Sequence, residues 1–180
     1  GHGQGAELLM NAEAAFSQGN FSDAHILLEQ AYSIIASNGQ QNISLCCDFL
    51  AARLSLFQDT ALPVGNPEKK RRKLLSLHNM MWLNIFDSTY AYYYALTEMP
   101  EKIPALFRDH MLSTVNFLAP CRPMMEMIEN QVFLSQKMYA KVIGRSEKLL
   151  AICEEMHYAL VSLHIQIQTA AAYEMLAKHH

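Results

Sequence analysis

Apolar side chains recur three and four positions apart along nearly the whole chain, and period-two alternation is almost absent, so the pattern predicts helices rather than strands. Leu8, Ala12, Ala15 and Phe16 form the stripe of a first helix. Gly19-Asn20 breaks it, and Ser22 can cap a second helix that carries Ala24, Leu27, Leu28, Ala31, Ile34 and Ile35. So short a turn makes the pair antiparallel, with the alanines allowing close axial approach. A third helix is predicted from about Gln41 to Gln58, with Ile43, Cys46, Cys47, Leu50, Leu54 and Phe57 facing neighbours. Pro63, Gly65 and Pro67 separate it from one long helix, roughly Pro67 to Glu98, in which Pro67 suits the first helical position. Pro100 and Pro104 leave Ile103 to Arg108 as a short helical turn, and His110 to Pro123 reads as an irregular stretch, the natural place for a mobile or ligand-facing loop. Three more helices follow, from near Met124 to around Tyr139, about Gly144 to His157, and about Tyr158 to Lys178.

In the last of these, Leu160, Leu163, Ile167 and Ala171 lie on one side and Val161, Ile165 and Ala172 on another, so it should be covered on two faces. Helices packed between successive neighbours are what a stacked solenoid builds, although periodicity alone leaves a compact bundle open. The expectation is an all-α single domain over residues 1–180, a tetratricopeptide-like right-handed superhelix of helical hairpins with about seven helices.

Gly19-Asn20-Phe21, Ala24, Leu28 and Ala31 carry the tetratricopeptide pattern: a glycine for the turn, an aromatic to plug the groove, and small residues where backbones approach. Asn11 stands where a leucine is usual, and Lys137-Met138-Tyr139 is at best a degenerate second copy. Taken in order, Gly19 to Ala24, Gln41 to Leu54, Tyr90 to Leu96 followed by Ile103-Pro104, and Ile165 to Tyr173 resemble the helical sensor region of large bacterial LuxR-type transcription regulators similar to the maltose regulator. The resemblance implies a region that lies between an NTPase module and a C-terminal helix-turn-helix. The chain has neither a Gly-x-x-x-x-Gly-Lys-Ser/Thr loop nor a recognisable DNA-reading helix-turn-helix, so only a sensing or scaffolding role can be inherited. The implied partners are other modules of the parent regulator, a second copy, or a small-molecule effector in the groove.

Hydrophobic residues make up 51% of the 180 positions and charged residues 17%, against roughly 25% charged in an average domain, which excludes disorder and suggests an apolar surface that meets something. A formal charge of −3 gives no field to hold a polyanion, so direct nucleic-acid binding is disfavoured. Met156 to Tyr173, a stretch without Asp, Glu, Lys or Arg as long as any in the chain, is too polar for a membrane core. Gly1-His2-Gly3 looks like a tag scar, and the missing initiator Met suggests an excised fragment. Cys46, Cys47, Cys121 and Cys153 lack zinc spacing and read as reduced thiols, which points to the cytoplasm.

Candidate chemistry is sparse. Glu154-x-x-His157 lacks the second copy that a di-iron bundle needs, and His78, His110 and His164 lie on separate segments, so no metal or other cofactor is expected. Cys121 has only Arg122 nearby to activate it, and Glu126 and Glu129 read as a solvated helix face, so no catalytic residue is assigned and no enzyme is expected. Lys69 to Lys73 is a basic run at the start of the long helix, read as a solvated turn. Trp82, Phe86, Tyr90 and Tyr93 recur at helical spacing, with Tyr92 and Tyr94 on adjoining faces; such a stripe serves either as core or as aromatic planes for an effector. Arg53, inside an apolar stripe, snorkels, pairs with a carboxylate such as Asp48, or reaches into a groove as an anion ligand. The candidate contact residues are therefore Trp82, Tyr90, Tyr93, Tyr94 and Arg53.

Overall fold

The computed structural model describes residues 3–39, 41–58, 67–76, 78, 80–115, 117 and 119–178, and among them every regular element is helical. In chain order these are α1 (Gln4–Ser17), α2 (Phe21–Asn38), α3 (Gln41–Phe57), α4 (Pro67–Ser76), α5 (Met80–Leu96), the single turn α6 (Ala105–Arg108), α7 (Arg122–Ser135), α8 (Tyr139–Met156) and α9 (Ala159–Lys178). Short 3₁₀ turns at Pro100–Lys102, Leu112–Thr114 and Ala119–Cys121 break up the α5–α6–α7 connections. The chain divides into two compact units, Gly1–Phe86 and Asp87–His180, the division falling within α5.

In the first unit, α1 and α2 form the antiparallel hairpin and α3 packs on both. The turn works as the sequence requires: Gly19 takes φ 82°, and the Asn20 N–H reaches back to Ala15 O at 2.8 Å. Asn20 rather than Ser22 precedes the helix, and its side-chain amide donates to Asp23 Oδ2 at 2.7 Å. Ala12, Ala24 and Ala31 are completely buried, which brings the axes together around Phe16. The Phe16 ring meets Phe57 edge-on at 5.2 Å and Phe21 at 5.9 Å, and burying a side chain of that size stabilises the fold by roughly 2–3 kcal/mol.

The second unit repeats this plan. Gln4 and Arg122, Ser17 and Ser135, Phe21 and Tyr139, Asn38 and Met156, and Gln41 and Ala159 bound corresponding helices, each pair 118 positions apart. Here α7 and α8 form the hairpin and α9 packs on both, around a core that includes Phe133, Tyr139, Val142 and Ala172. Lys137 stands in the place of Gly19 with φ 62°, and the Met138 N–H bonds Phe133 O at 2.9 Å as Asn20 bonds Ala15. The degenerate motif in the sequence is thus a true structural copy of the turn.

Three expectations are corrected. The long helix from Pro67 to Glu98 is two helices, α4 and α5, separated around His78, whose φ of 52° takes the backbone out of the helical region. Tyr139 opens α8 instead of closing α7, and Gly144 lies inside α8, because Lys137 adopts a turn conformation that its residue type does not announce. The helix of α9 is covered on one face only: Val161, Ile165, Gln168 and Ala172 are buried, while Leu163, Ile167 and Tyr173 stay exposed.

Candidate functional site

Arg53 lies in the first unit, on α3, with its side chain only 8% exposed. Its Nη1 donates to Glu13 Oε2 at 2.9 Å and its Nη2 to Glu13 Oε1, while the guanidinium lies 5.5 Å from the Phe16 ring centre. The carboxylate partner is therefore Glu13 of α1 rather than Asp48, which instead accepts the Tyr32 hydroxyl at 2.6 Å. Burial, reinforced by that bond to Asp48, pushes the Tyr32 hydroxyl far above its ordinary value and keeps it protonated. A bidentate, stacked arginine of this kind ties α1 to α3. Trp82 belongs to α5 and its side chain lies outside the described residues.

The second unit brings the tyrosines together. Tyr90 is buried and Tyr93 and Tyr94 are half-buried, with ring centres 6.1 Å apart for Tyr90–Tyr94 and 5.4 Å for Tyr93–Tyr94. Lys102 places its ammonium 5.9 Å from the Tyr94 ring. Burial pushes the hydroxyls of Tyr90 and Tyr92 up to about 12, so both remain neutral donors at physiological pH. Tyr90 is thus largely core, and the accessible aromatic surface of this set is that of Tyr93 and Tyr94.

A polar centre that the sequence reading took for solvated surface sits on the α7–α8 hairpin. Glu126, Glu129 and Asn130 share one face of α7, and Arg145 of α8 reaches all three: Nη2 to Glu126 Oε2 at 2.6 Å, Nη1 to Glu129 Oε1 at 2.9 Å, and Nε to Asn130 Oδ1 at 3.0 Å. Glu129 is 5% exposed, and burial raises its carboxyl above the usual range against the opposing pull of Arg145. Phe133 lies 5.1 Å from the same guanidinium and stacks on the His110 ring at 3.9 Å and 2°. His110 Nε2 also meets Gln136 Oε1, so the His110 corner is fastened to α7. The only sequence trace of this centre is the spacing of Glu126, Glu129 and Asn130; Arg145 could not be paired with them before the hairpin was placed.

Beside this centre is a cavity of about 420 Å³ lined by Val115, Phe117, Ala119, Arg122, Ile152 and Met156. Val115, Phe117, Ala119 and Arg122 belong to the stretch read as irregular, and among the described residues the lining is apolar except for Arg122, whose Nε lies 3.4 Å from Glu126 Oε1. Cys46, Cys47 and Cys153 are buried, and burial pushes the first two thiols up to about 12 and the third to about 11, leaving them unreactive. Glu154 and His157 sit exposed at the end of α8. Among the described residues no group of three His, Cys, Asp or Glu side chains could hold a metal ion, and no helix is long and apolar enough to cross a membrane. No family model, curated protein or solved structure matches the chain.

Proposed function

We propose that this chain is a tetratricopeptide-like superhelical segment that receives a signal or a protein partner on behalf of a bacterial LuxR-type transcription regulator similar to the maltose regulator. The observation that carries the reading is the recurrence, 118 positions apart, of a helical hairpin with a third helix laid on it. In helical-repeat proteins neighbouring repeats cover one another's apolar faces, and repetition produces extended binding surfaces rather than a chemical centre. The half-buried Tyr93 and Tyr94, with Lys102 beside them, provide planes and a cation for a small effector such as a sugar or nucleotide. Regulation would follow from differential binding: an effector that prefers one arrangement of repeats biases self-association of the parent.

A second reading, a constitutive protein-interaction scaffold without a small ligand, is favoured by the exposed apolar face of α9. Thermal-shift screening against sugars, amino acids and nucleotides separates the two, because a ligand that binds only the folded state raises the melting temperature. A stabiliser whose effect is lost in Tyr94→Ala supports the effector reading; a flat screen favours the scaffold. The regulator assignment itself is tested by the genomic reading frame that contains this sequence. A nucleotide-binding loop on one side and a helix-turn-helix on the other are expected, and a frame encoding neither would overturn it.

A further inference from the structure

The cavity beside the α7–α8 hairpin has a volume of about 420 Å³, within the range of roughly 300–1,000 Å³ usual for small-molecule sites. Among the described residues that line it, Val115, Phe117, Arg122, Ile152 and Met156 are half-buried, and Ala119 is exposed, which opens the site to solvent. Both walls are anchored. Buried Leu149 and Cys153 fix the turns of α8 that carry Ile152 and Met156, and the Val115 N–H bonds the O of buried Leu112 at 3.3 Å. Arg122 is the polar member, and its charge is only partly matched. Its one charged partner among the described residues is Glu126, whose Oε1 lies 3.4 Å from Nε, while Arg145 Nη2 takes the other oxygen of that carboxylate at 2.6 Å. The two terminal nitrogens of Arg122 therefore keep the fork that grips a carboxylate through parallel hydrogen bonds.

From this we propose that the cavity binds a small amphiphilic monocarboxylate, with its anionic head on Arg122 and its medium-length apolar chain against Val115, Phe117, Ile152 and Met156. The class follows from what the lining offers and lacks. A sugar would strand its hydroxyls against Phe117 and Ile152, which give no hydrogen bond in return. The second charge of a phosphate monoester would find no second cation in the lining, and a cationic ligand would be repelled by Arg122. An alkyl chain suits the apolar wall, where the flexible Met156 adapts to its shape. The site shares no residue with the Tyr93–Tyr94 surface, so the inference goes beyond the effector reading and does not depend on it.

Isothermal titration calorimetry of the full chain with sodium octanoate tests the site. Saturable one-to-one binding is expected, with sodium hexanoate weaker by roughly tenfold because two fewer methylenes are buried. Arg122→Gln should weaken octanoate by roughly tenfold. 1-Octanol, which keeps the chain and lacks the charge, should bind the unsubstituted chain weakly and Arg122→Gln no less well. Met156→Glu sets a carboxylate in the apolar wall and should abolish octanoate binding; should it lower the circular dichroism melt, Val115→Glu does the same from the other wall. Absence of saturable binding overturns the site. So does octanoate affinity indifferent to Arg122→Gln and to the wall variant, or octanol binding as tightly as octanoate, which would remove the anion recognition. Tyr94→Ala should leave octanoate binding unchanged; a loss there would move the ligand to the tyrosines and overturn the cavity, so this test and the effector screen fail separately.

Discussion

Gly39 and His157 hold the same backbone conformation at corresponding positions, φ 67° and 59°, each ending the second helix of its hairpin. Glycine adopts the left-handed region without penalty, whereas a residue with a Cβ is held there at a cost of about 1 kcal/mol. His157 is nonetheless fixed, because the Tyr158 N–H bonds Cys153 O at 2.9 Å and closes the helix end. His157→Gly should therefore stabilise the chain, by about 0.5–1 kcal/mol in urea unfolding, and Gly39→Ala should destabilise it by a similar amount. Among the described residues no atom outside the local backbone lies within 4 Å of a Cβ built on Gly39, so conformation rather than crowding sets the loss. A melting temperature lowered by His157→Gly would contradict this account.

The same comparison explains how far the sequence could be read. The α1–α2 hairpin was legible because Gly19 announces its turn, while the α7–α8 hairpin was displaced because Lys137 makes that turn without an informative side chain. The break between α4 and α5 passes through His78 with no proline or glycine to mark it. The two-sided apolar character of α9 was legible, yet periodicity could not tell which face the hairpin takes. Partners across helices were the least accessible. Asp48, five positions before Arg53, was the nearest carboxylate on paper, but five positions is a poor helical match, and Glu13 on another helix holds the guanidinium. Glu126 and Glu129 looked solvated because Arg145, which draws them inward, lies on another helix.

Lys137→Gly tests the hairpin correspondence directly. The Lys137 side chain is exposed, and its φ of 62° lies in the left-handed region that Gly19, at 82°, enters without strain. Glycine there should raise stability by about 0.5–1 kcal/mol in urea unfolding, the left-handed penalty relieved outweighing the entropy glycine adds to the unfolded chain. Unchanged or lower stability would mean that the two turns are not equivalent.

Gln168 occupies on α9 the place that Leu50 occupies on α3, and both are buried. Its Nε2 donates to Met127 O at 2.9 Å and to Gln131 Oε1 at 3.2 Å, but its Oε1 is buried with no hydrogen-bond partner among the described residues. A buried unsatisfied acceptor costs more than an ordinary hydrogen bond contributes. Gln168→Leu should stabilise the second unit by about 1 kcal/mol, read from the denaturant midpoint. A loss of the same size would mean that the amide bonds across α7 and α9 outweigh the stranded oxygen.

Glu13 and Arg53 are unequally buried, with side chains 34% and 8% exposed, so removing one is not equivalent to removing the other. Glu13→Ala deprives a buried guanidinium of its carboxylate and should cost about 3 kcal/mol. Arg53→Met leaves a carboxylate that can rehydrate and should cost about 1 kcal/mol, since the thioether chain still covers Phe16. The double variant should be more stable than Glu13→Ala alone. A double-mutant cycle by urea unfolding measures the coupling, and additive losses would show that the clasp contributes nothing.

Glu129 gives a pH dependence whose sign follows from its burial. Because burial outweighs Arg145, the folded chain holds the Glu129 proton to higher pH than the unfolded chain does. Between the ordinary carboxyl value and the raised one, the folded state binds more protons, so this group's contribution to stability is greatest at acid pH and declines as pH rises through that window. Glu129→Gln removes the titrating group while keeping an oxygen to accept from Arg145 Nη1, and Arg145 retains its bonds to Glu126 and Asn130. Urea midpoints measured for both proteins from about pH 4 to about pH 7 should show Glu129→Gln gaining on the unsubstituted chain as pH rises. A constant gap would mean that the carboxyl titrates alike in both states. A gap moving the other way would mean that the ion pair with Arg145 overcomes burial, and Glu129 would then be a stabilising anion at neutral pH.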